Sequence, residues 1–264
     1  MAILKTLFVP HPPIIIEKIG GPEINQVERT RQSLFRLARE LAADQPDTVL
    51  ISSPHAAGGI ECVGVLRGAR LRGSFVEFGY PSLRYEFDND EALVQELLAD
   101  PALSKSLEEI HEVALDWGVL VFLDFVRREG YLPRIVVLSA VWGRKSFFWE
   151  FGQALGKFLA RKEGRYVYVA SGDLSHCTRN GPGRIRHDEG PLFDRKVVEA
   201  VANNDPQILL GLDNDFTNRA QQCGLCSFLV GFGVMASAAA TGEVYSYEDP
   251  FGVGYLVGAL KPGG

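Results

Sequence analysis

Three short apolar runs in this chain each break off at a proline or a glycine and lead, within a few residues, to a histidine. Residues 3–9 meet Pro10-His11-Pro12-Pro13, residues 48–52 end at Ser53-Pro54-His55, and residues 166–170 enter Ser171-Gly172-Asp173-Leu174-Ser175-His176. Proline has no N–H to donate, so it ends a strand ladder, and glycine permits a sharp turn out of a sheet. Continuous, partly β-branched runs of this length suit strands covered on both faces.

Between these runs the spacing turns helical. Val27, Leu34, Leu37, Ala38 and Leu41 share one face of a segment opened by Pro22 and closed near Pro46. Further helices are predicted over 91–98, 119–128, 147–159 and 190–202, with a short one after Asp205 and another, rich in small residues, after Cys223. Additional strands are predicted around 61–66, 75–78, 134–138 and 253–260. This alternation predicts an α/β fold: a single domain over 1–264 with a central, mostly parallel or mixed sheet and helices on both faces. Such sheets bind ligands beyond the carboxyl ends of their strands, so His11, His55 and His176 are expected to face one crevice. The other two histidines are expected at the surface, His111 in a helix and His187 in a polar loop.

No linker, charge block or low-complexity stretch interrupts the 264 residues. A net charge of −6 and a pI near 5.5 exclude a phosphate-backbone partner, which needs clustered Lys and Arg. The one basic stretch, Arg179, Arg184 and Arg186, is balanced by Asp188 and Glu189 and reads as a solvated loop. Four cysteines without an export signal point to a reducing, cytoplasmic setting, since the prolines in 3–16 and the lack of a cleavage site rule out a signal peptide. Residues 224–240 are apolar but short of the roughly 20 that span a membrane, so a buried core helix is expected there.

The histidine trio carries the chemistry. Two imidazoles and a carboxylate would make the facial arrangement of a non-haem Fe(II) site, leaving the third imidazole as a base. Three histidines on Zn²⁺ would make a hydrolytic site, and a Ser175–His176 pair without metal lacks the Gly-x-Ser-x-Gly setting. Cys223-Gly-Leu-Cys226 is at best half a zinc site, and buried inert thiols are the expectation for it. Gly231-Phe-Gly233 and Gly252-Val-Gly254 lack the strand-then-helix setting of a dinucleotide loop. Glu86, Asp88 and Asp90 could hold a hard cation, yet Asp88-Asn89-Asp90 ahead of a helix is more simply an N-cap.

Val9-Pro-His-Pro-Pro-Ile14, Ser52-Ser-Pro-His55, Ala170-Ser-Gly-Asp-Leu-Ser-His176, Cys223-Gly-Leu and Pro250-Phe-Gly-Val-Gly-Tyr-Leu-Val257 together resemble the catalytic-subunit family of class III extradiol ring-cleavage dioxygenases and its Memo-like relatives. The resemblance runs in order over nearly the whole chain. It implies Fe(II), with Zn or Cu as alternatives, and a catechol-type small molecule and O₂ as partners. By position it assigns His11 and His55 to the metal and His176 to acid/base work, and in Memo-like relatives His176 and Cys223 become ligands. Two positions depart from the ring-cleaving pattern: Gln222 stands where a glutamate is expected, and Trp117 where a histidine is. Losing the carboxylate removes a negative charge from the metal's surroundings, and Trp117 cannot shuttle protons but can stack on an aromatic substrate. The expected set is therefore His11, His55 and Gln222 or Cys223 on the metal, His176 as base or ligand, and Trp117 and Ser175 toward substrate. The alternative is a non-catalytic metal-binding or scaffold homologue. Base rates alone allow a homodimer.

Overall fold

The computed structural model describes residues 2–56, 58–111, 114–181 and 185–263; Arg184 of the basic loop lies outside them. Ten strands occur among the described residues: β1 Ile3–Val9, β2 Thr48–Ser53, β3 Val63–Leu66, β4 Arg70–Phe75, β5 Tyr80–Asp88, β6 Leu107–Ile110, β7 Arg134–Ser139, β8 Tyr166–Ser171, β9 Ala240–Glu248 and β10 Tyr255–Pro262. Eight of them form one sheet in the order β6-β3-β7-β2-β8-β1-β10-β9, and β4 with β5 forms a separate hairpin. The central strands β7, β2, β8 and β1 are mutually parallel, whereas β10, β9 and the β3–β7 junction bring antiparallel pairs. The sheet is mixed, as expected.

The helices are α1 Glu17–Gly20, α2 Glu28–Asp44, α3 Glu91–Ala99, α4 Trp117–Arg128, α5 Lys145–Ala160, α6 Glu189–Asn203, α7 Gln207–Leu210, α8 Asn214–Arg219 and α9 Leu225–Met235. Period-two alternation along the strands divides the core between two faces. Leu7, Val9, Val49, Ile51, Val137, Val167 and Val169 pack with α2 and α4 on one side. Phe8, Leu50, Val136 and Tyr168 pack with α3, α5, α6 and α9 on the other. Each such side chain contributes roughly 1.5–3 kcal/mol on burial, which is what fixes the strand register.

Asp90 caps α3 by accepting from the Leu93 N–H at 3.2 Å, so the acidic triplet acts as the expected helix start. The apolar segment after Cys223 becomes α9, whose side chains are almost all buried, and no helix of the described residues is long and apolar enough to cross a membrane.

Three expectations are corrected. Residues 75–78 are not a strand: Phe75 ends β4, Val76–Phe78 make one 3₁₀ turn, and Gly79, at φ 82°, lets the chain reverse into β5. Leu71, Phe75, Tyr85 and Phe87 are buried while Arg70, Arg72, Glu86 and Asp88 are exposed or form ion pairs, and this alternation marks the hairpin. His111 is not in a helix; it follows the short edge strand β6 and is exposed. The helix predicted to reach residue 240 stops at Met235, and β9 follows as a half-exposed edge strand of mixed polar and aromatic residues that carries no apolar run.

Candidate metal centre

Because β1, β8 and β2 are parallel neighbours, their carboxyl ends share one edge, with Val9 level with Ser171 and Ser52 level with Ala170. His11 and His55 each lie two residues past a strand end, and the two imidazoles meet there. Their Nε2 atoms are 3.0 Å apart, with ring centroids at 4.8 Å and an interplanar angle of 71°. Cys223 Sγ lies 3.6 Å from His11 Nε2, and the donor atoms of His11, His55 and Cys223 all fall within 4.8 Å of one another.

The tautomer of His11 follows from its neighbours. Ser171 gives its hydroxyl proton to the Gly118 carbonyl, so toward His11 Nδ1, at 2.9 Å, its oxygen accepts. The proton of neutral His11 is therefore on Nδ1, and the Nε2 lone pair faces His55 and Cys223. The His11 backbone N–H donates to Asp173 Oδ1 at 2.9 Å. Burial, with a further contribution from the nearby His176, lowers the His11 pKa to about 3. His55 is open toward a cavity on one side, yet desolvation of its inner side, with His11 and His176 close by, also brings it to about 3. Both rings are thus neutral at pH 7, each with a lone pair it could give to a metal.

The His55 loop is braced from below. Its backbone N–H donates to Ser53 Oγ at 3.2 Å, and that hydroxyl donates to Asp116 Oδ1 at 2.7 Å, which also caps Gly118 of α4. Trp117, in the first turn of α4, stacks on the His55 ring at 4.2 Å and 29°, with Phe78 edge-on behind it at 5.5 Å. One face of Trp117 is thus spent on the histidine.

Cys223 arrives on a loop that crosses Gly172 at very close range. A Cβ on Gly172 would overlap the Gly224 backbone, so this crossing requires glycine. The Asp173 carbonyl accepts from Gly224 N at 3.0 Å, and Asp173 N donates to Cys223 Sγ at 3.3 Å. Gln221, just before, takes the left-handed conformation at φ 54°. Burial, then the charge of Asp173, pushes the Cys223 thiol well above its ordinary range, and burial takes Cys226 up to about 12. Gln222 lines the same cavity but commits its Oε1 to the Leu225 N–H at 2.8 Å, at the start of α9.

His176 stands close enough to act electrostatically on both His11 and His55, but outside the three-donor group. Its Nδ1 is buried with no hydrogen-bond partner among the described residues. Ser175 is not brought to the cavity: it is fully buried, and its backbone N–H donates to Asp194 Oδ1 at 2.9 Å. The cavity itself, about 670 Å³, has His55, Cys223, Gln222 and Cys226 on its inner side and Trp142 at its rim. Ser171 and Asp173, which orient His11, were not singled out by sequence; their signal was the unbroken string from Ala170 to His176.

The donors fit a metal ion. Two nitrogens each about 2.1 Å from a common ion, at about 90°, stand about 3 Å apart, and a nitrogen and a thiolate sulfur at a tetrahedral angle stand about 3.6 Å apart. Two of the three separations, 3.0 Å and 3.6 Å, match. The third, between His55 and Cys223 at up to 4.8 Å, exceeds the roughly 4.4 Å that bonds of about 2.1 and 2.3 Å can span, so one of these side chains shifts slightly to close on an ion. Imidazole with thiolate suits Fe, Zn or Cu better than hard cations such as Mg²⁺ or Ca²⁺.

Comparison with known proteins agrees with this architecture. The chain is similar to Protein CA_C1420 of Clostridium acetobutylicum, with 26% identity over 271 aligned residues. The match covers 99% of this chain and spans 58% of that relative's length. In fold it is similar to an uncharacterized Escherichia coli K12 protein, JW3007, whose crystal structure superposes with a TM-score of 0.65 at 16% identity, covering 97% of this chain and 99% of the other. Residues 5–258 match the family described as the catalytic LigB subunit of aromatic ring-opening dioxygenase, and with most of its length matched the chain belongs to that family.

Proposed function

We propose that the protein holds one first-row transition metal, Fe(II) in the active form, through His11, His55 and Cys223, and acts as an extradiol-type dioxygenase on a catechol-type small molecule. The observation that carries this reading is the convergence, on the edge of a 670 Å³ cavity, of two neutral imidazole Nε2 atoms 3.0 Å apart and one thiol 3.6 Å from the His11 Nε2. Cys223 rather than Gln222 is the third ligand in this reading, because its Sγ lies 3.6 Å from His11 Nε2 whereas the Gln222 amide oxygen is turned to the Leu225 N–H. A divalent metal there supplies Lewis acidity toward the diol and an electron path between diol and O₂. The protein's own part is orientation and proton handling. Ser171 fixes the His11 tautomer, Trp117 and Ser53 hold His55, and His176, close to both imidazoles, takes up a diol proton. Both atoms of O₂ enter the ring-opened product, so no external reductant is consumed.

The thiol in place of a carboxylate favours a second reading, in which the same three residues hold a metal without oxygenase turnover. The two separate in one experiment. Protein loaded with Fe(II) under anaerobic conditions and then exposed to O₂ with a catechol panel consumes O₂ in step with the diol under the first reading. Tight stoichiometric metal with no O₂ uptake across the panel would leave the second.

A further inference from the structure

The cavity beside His55 and Cys223 carries an unbalanced positive charge. Among the described residues three charged side chains line it, Glu61, Arg144 and Lys145. Arg144 and Glu61 form a two-pronged pair, Nε to Oε1 at 2.5 Å and Nη2 to Oε2 at 3.0 Å, and cancel one another. Lys145 has no such partner among the described residues. Its ammonium donates to the Leu212 carbonyl and to Asn214 Oδ1 at 2.8 Å, both neutral, and an ammonium has a third proton to give. Asp213 acts on it, but from beyond ion-pair distance, with its Oδ1 taken by the N–H groups of Asp215 and Phe216.

Helix stability does not explain a lysine at this position. Lys145 opens α5, the end at which the helix dipole disfavours a cation, and the first turn holds no acid to offset it. Lys145 is also half-buried, so part of its hydration is lost. At the rim beside it, Ile60 and Trp142, 81% and 65% exposed, meet in a β-bridge and offer apolar surface to a ring. An occupant with an anionic substituent would complete the charge balance and the hydrogen bonding at once.

We infer that Lys145 is the anchor for an anionic group, a carboxylate or a phosphate, carried by a ring-bearing small molecule that fills this cavity. The inference rests on reading the cavity as the substrate site, and its test is one of binding rather than turnover. Calorimetric titration of the metal-loaded protein uses four probes: catechol, protocatechuate (the same diol with a carboxylate), benzoate (the carboxylate without the diol) and phenyl phosphate. Protocatechuate is expected to bind roughly tenfold more tightly than catechol, the worth of one charge-assisted hydrogen bond. Lys145→Gln removes that preference and leaves catechol unchanged, whereas Lys145→Arg, which keeps the charge, retains it. Benzoate against phenyl phosphate tells which anion is preferred. Equal affinity for catechol and protocatechuate, or a preference that survives in K145Q, overturns the anchor while leaving the dioxygenase reading intact. Benzoate binding lost in K145Q, without catechol binding, supports the anchor and removes the dioxygenase reading. No binding by any probe overturns both.

Discussion

Ser171 Oγ stands 2.9 Å from His11 Nδ1, and because that hydroxyl already donates to Gly118, it can only accept from the ring. One hydroxyl thus decides which nitrogen of His11 is left bare for a ligand. Ser171→Ala is expected to lower metal affinity roughly 10- to 100-fold, the usual cost of losing a partner that orients a ligating imidazole. It also leaves a buried N–H unpaired, at about 1–3 kcal/mol of stability. Competition against a chelating dye measures the first and chemical denaturation the second. Unchanged affinity in a folded variant would remove the tautomer argument.

Gly172 and Gly224 cross so closely that no side chain fits between the loop bearing His176 and the loop bearing Cys223. Gly172→Ala forces the two loops apart, with an overpacking cost of about 1–3 kcal/mol. The account expects a lowered Tm and, in the fraction that still folds, loss of the Cys223 contribution to metal binding. A cobalt-substituted sample reads this directly, as disappearance of the thiolate-to-metal charge-transfer absorption. Persistence of that band would show that the crossing does not place the thiol.

Asp194 gives the fold a pH dependence of defined sign. It is buried beneath the His176 loop, where it accepts from Ser175 N and from Tyr247 Oη at 2.7 Å, and desolvation raises its pKa from 3.8 to about 6. Between those two values the folded state binds more protons than the unfolded state, so stability from this group falls as pH rises from about 4 to 6. The gain is fully present below the unfolded pKa and lost above the folded one. Relative to Asp194→Asn, which keeps the Ser175 N–H contact and turns an N–H rather than an acceptor to Tyr247 Oη, the wild type should gain about 3 kcal/mol as pH falls from 7 to below 4. Denaturation series of the two proteins across that range measure the difference. A constant difference contradicts the assignment.

The central sheet was legible because its strands are buried on both faces and so read as unbroken apolar runs, and proline or glycine marks the ends of β1, β2 and β8 beside the histidines. The convergence of His11 and His55 followed from that topology alone. What was not legible lies at the edges: β6, β9 and the β4–β5 hairpin are half-exposed, and their alternation is diluted by charged residues. Within the site, sequence left Gln222 and Cys223 as equal candidates, since adjacent residues on a loop have no periodicity to separate them. In the structure Gln222 accepts from the Leu225 N–H while Cys223 Sγ lies 3.6 Å from His11 Nε2, which is why the proposal takes Cys223. Trp117 was expected toward substrate, and it is the His55 ring that it covers. The charge of Lys145 could not be distinguished in sequence from any surface lysine, because its meaning depends on which of its neighbours are neutral.

The proposed shared ion at His11, His55 and Cys223 is tested most directly by elemental analysis after anaerobic equilibration with Fe(II) and desalting, on the wild type, His11→Ala and Cys223→Ala. The account predicts about one metal per chain in the wild type and a small fraction of that in both variants, with the circular dichroism of all three alike. Full occupancy in both variants, or a wild type that retains no metal, would contradict it.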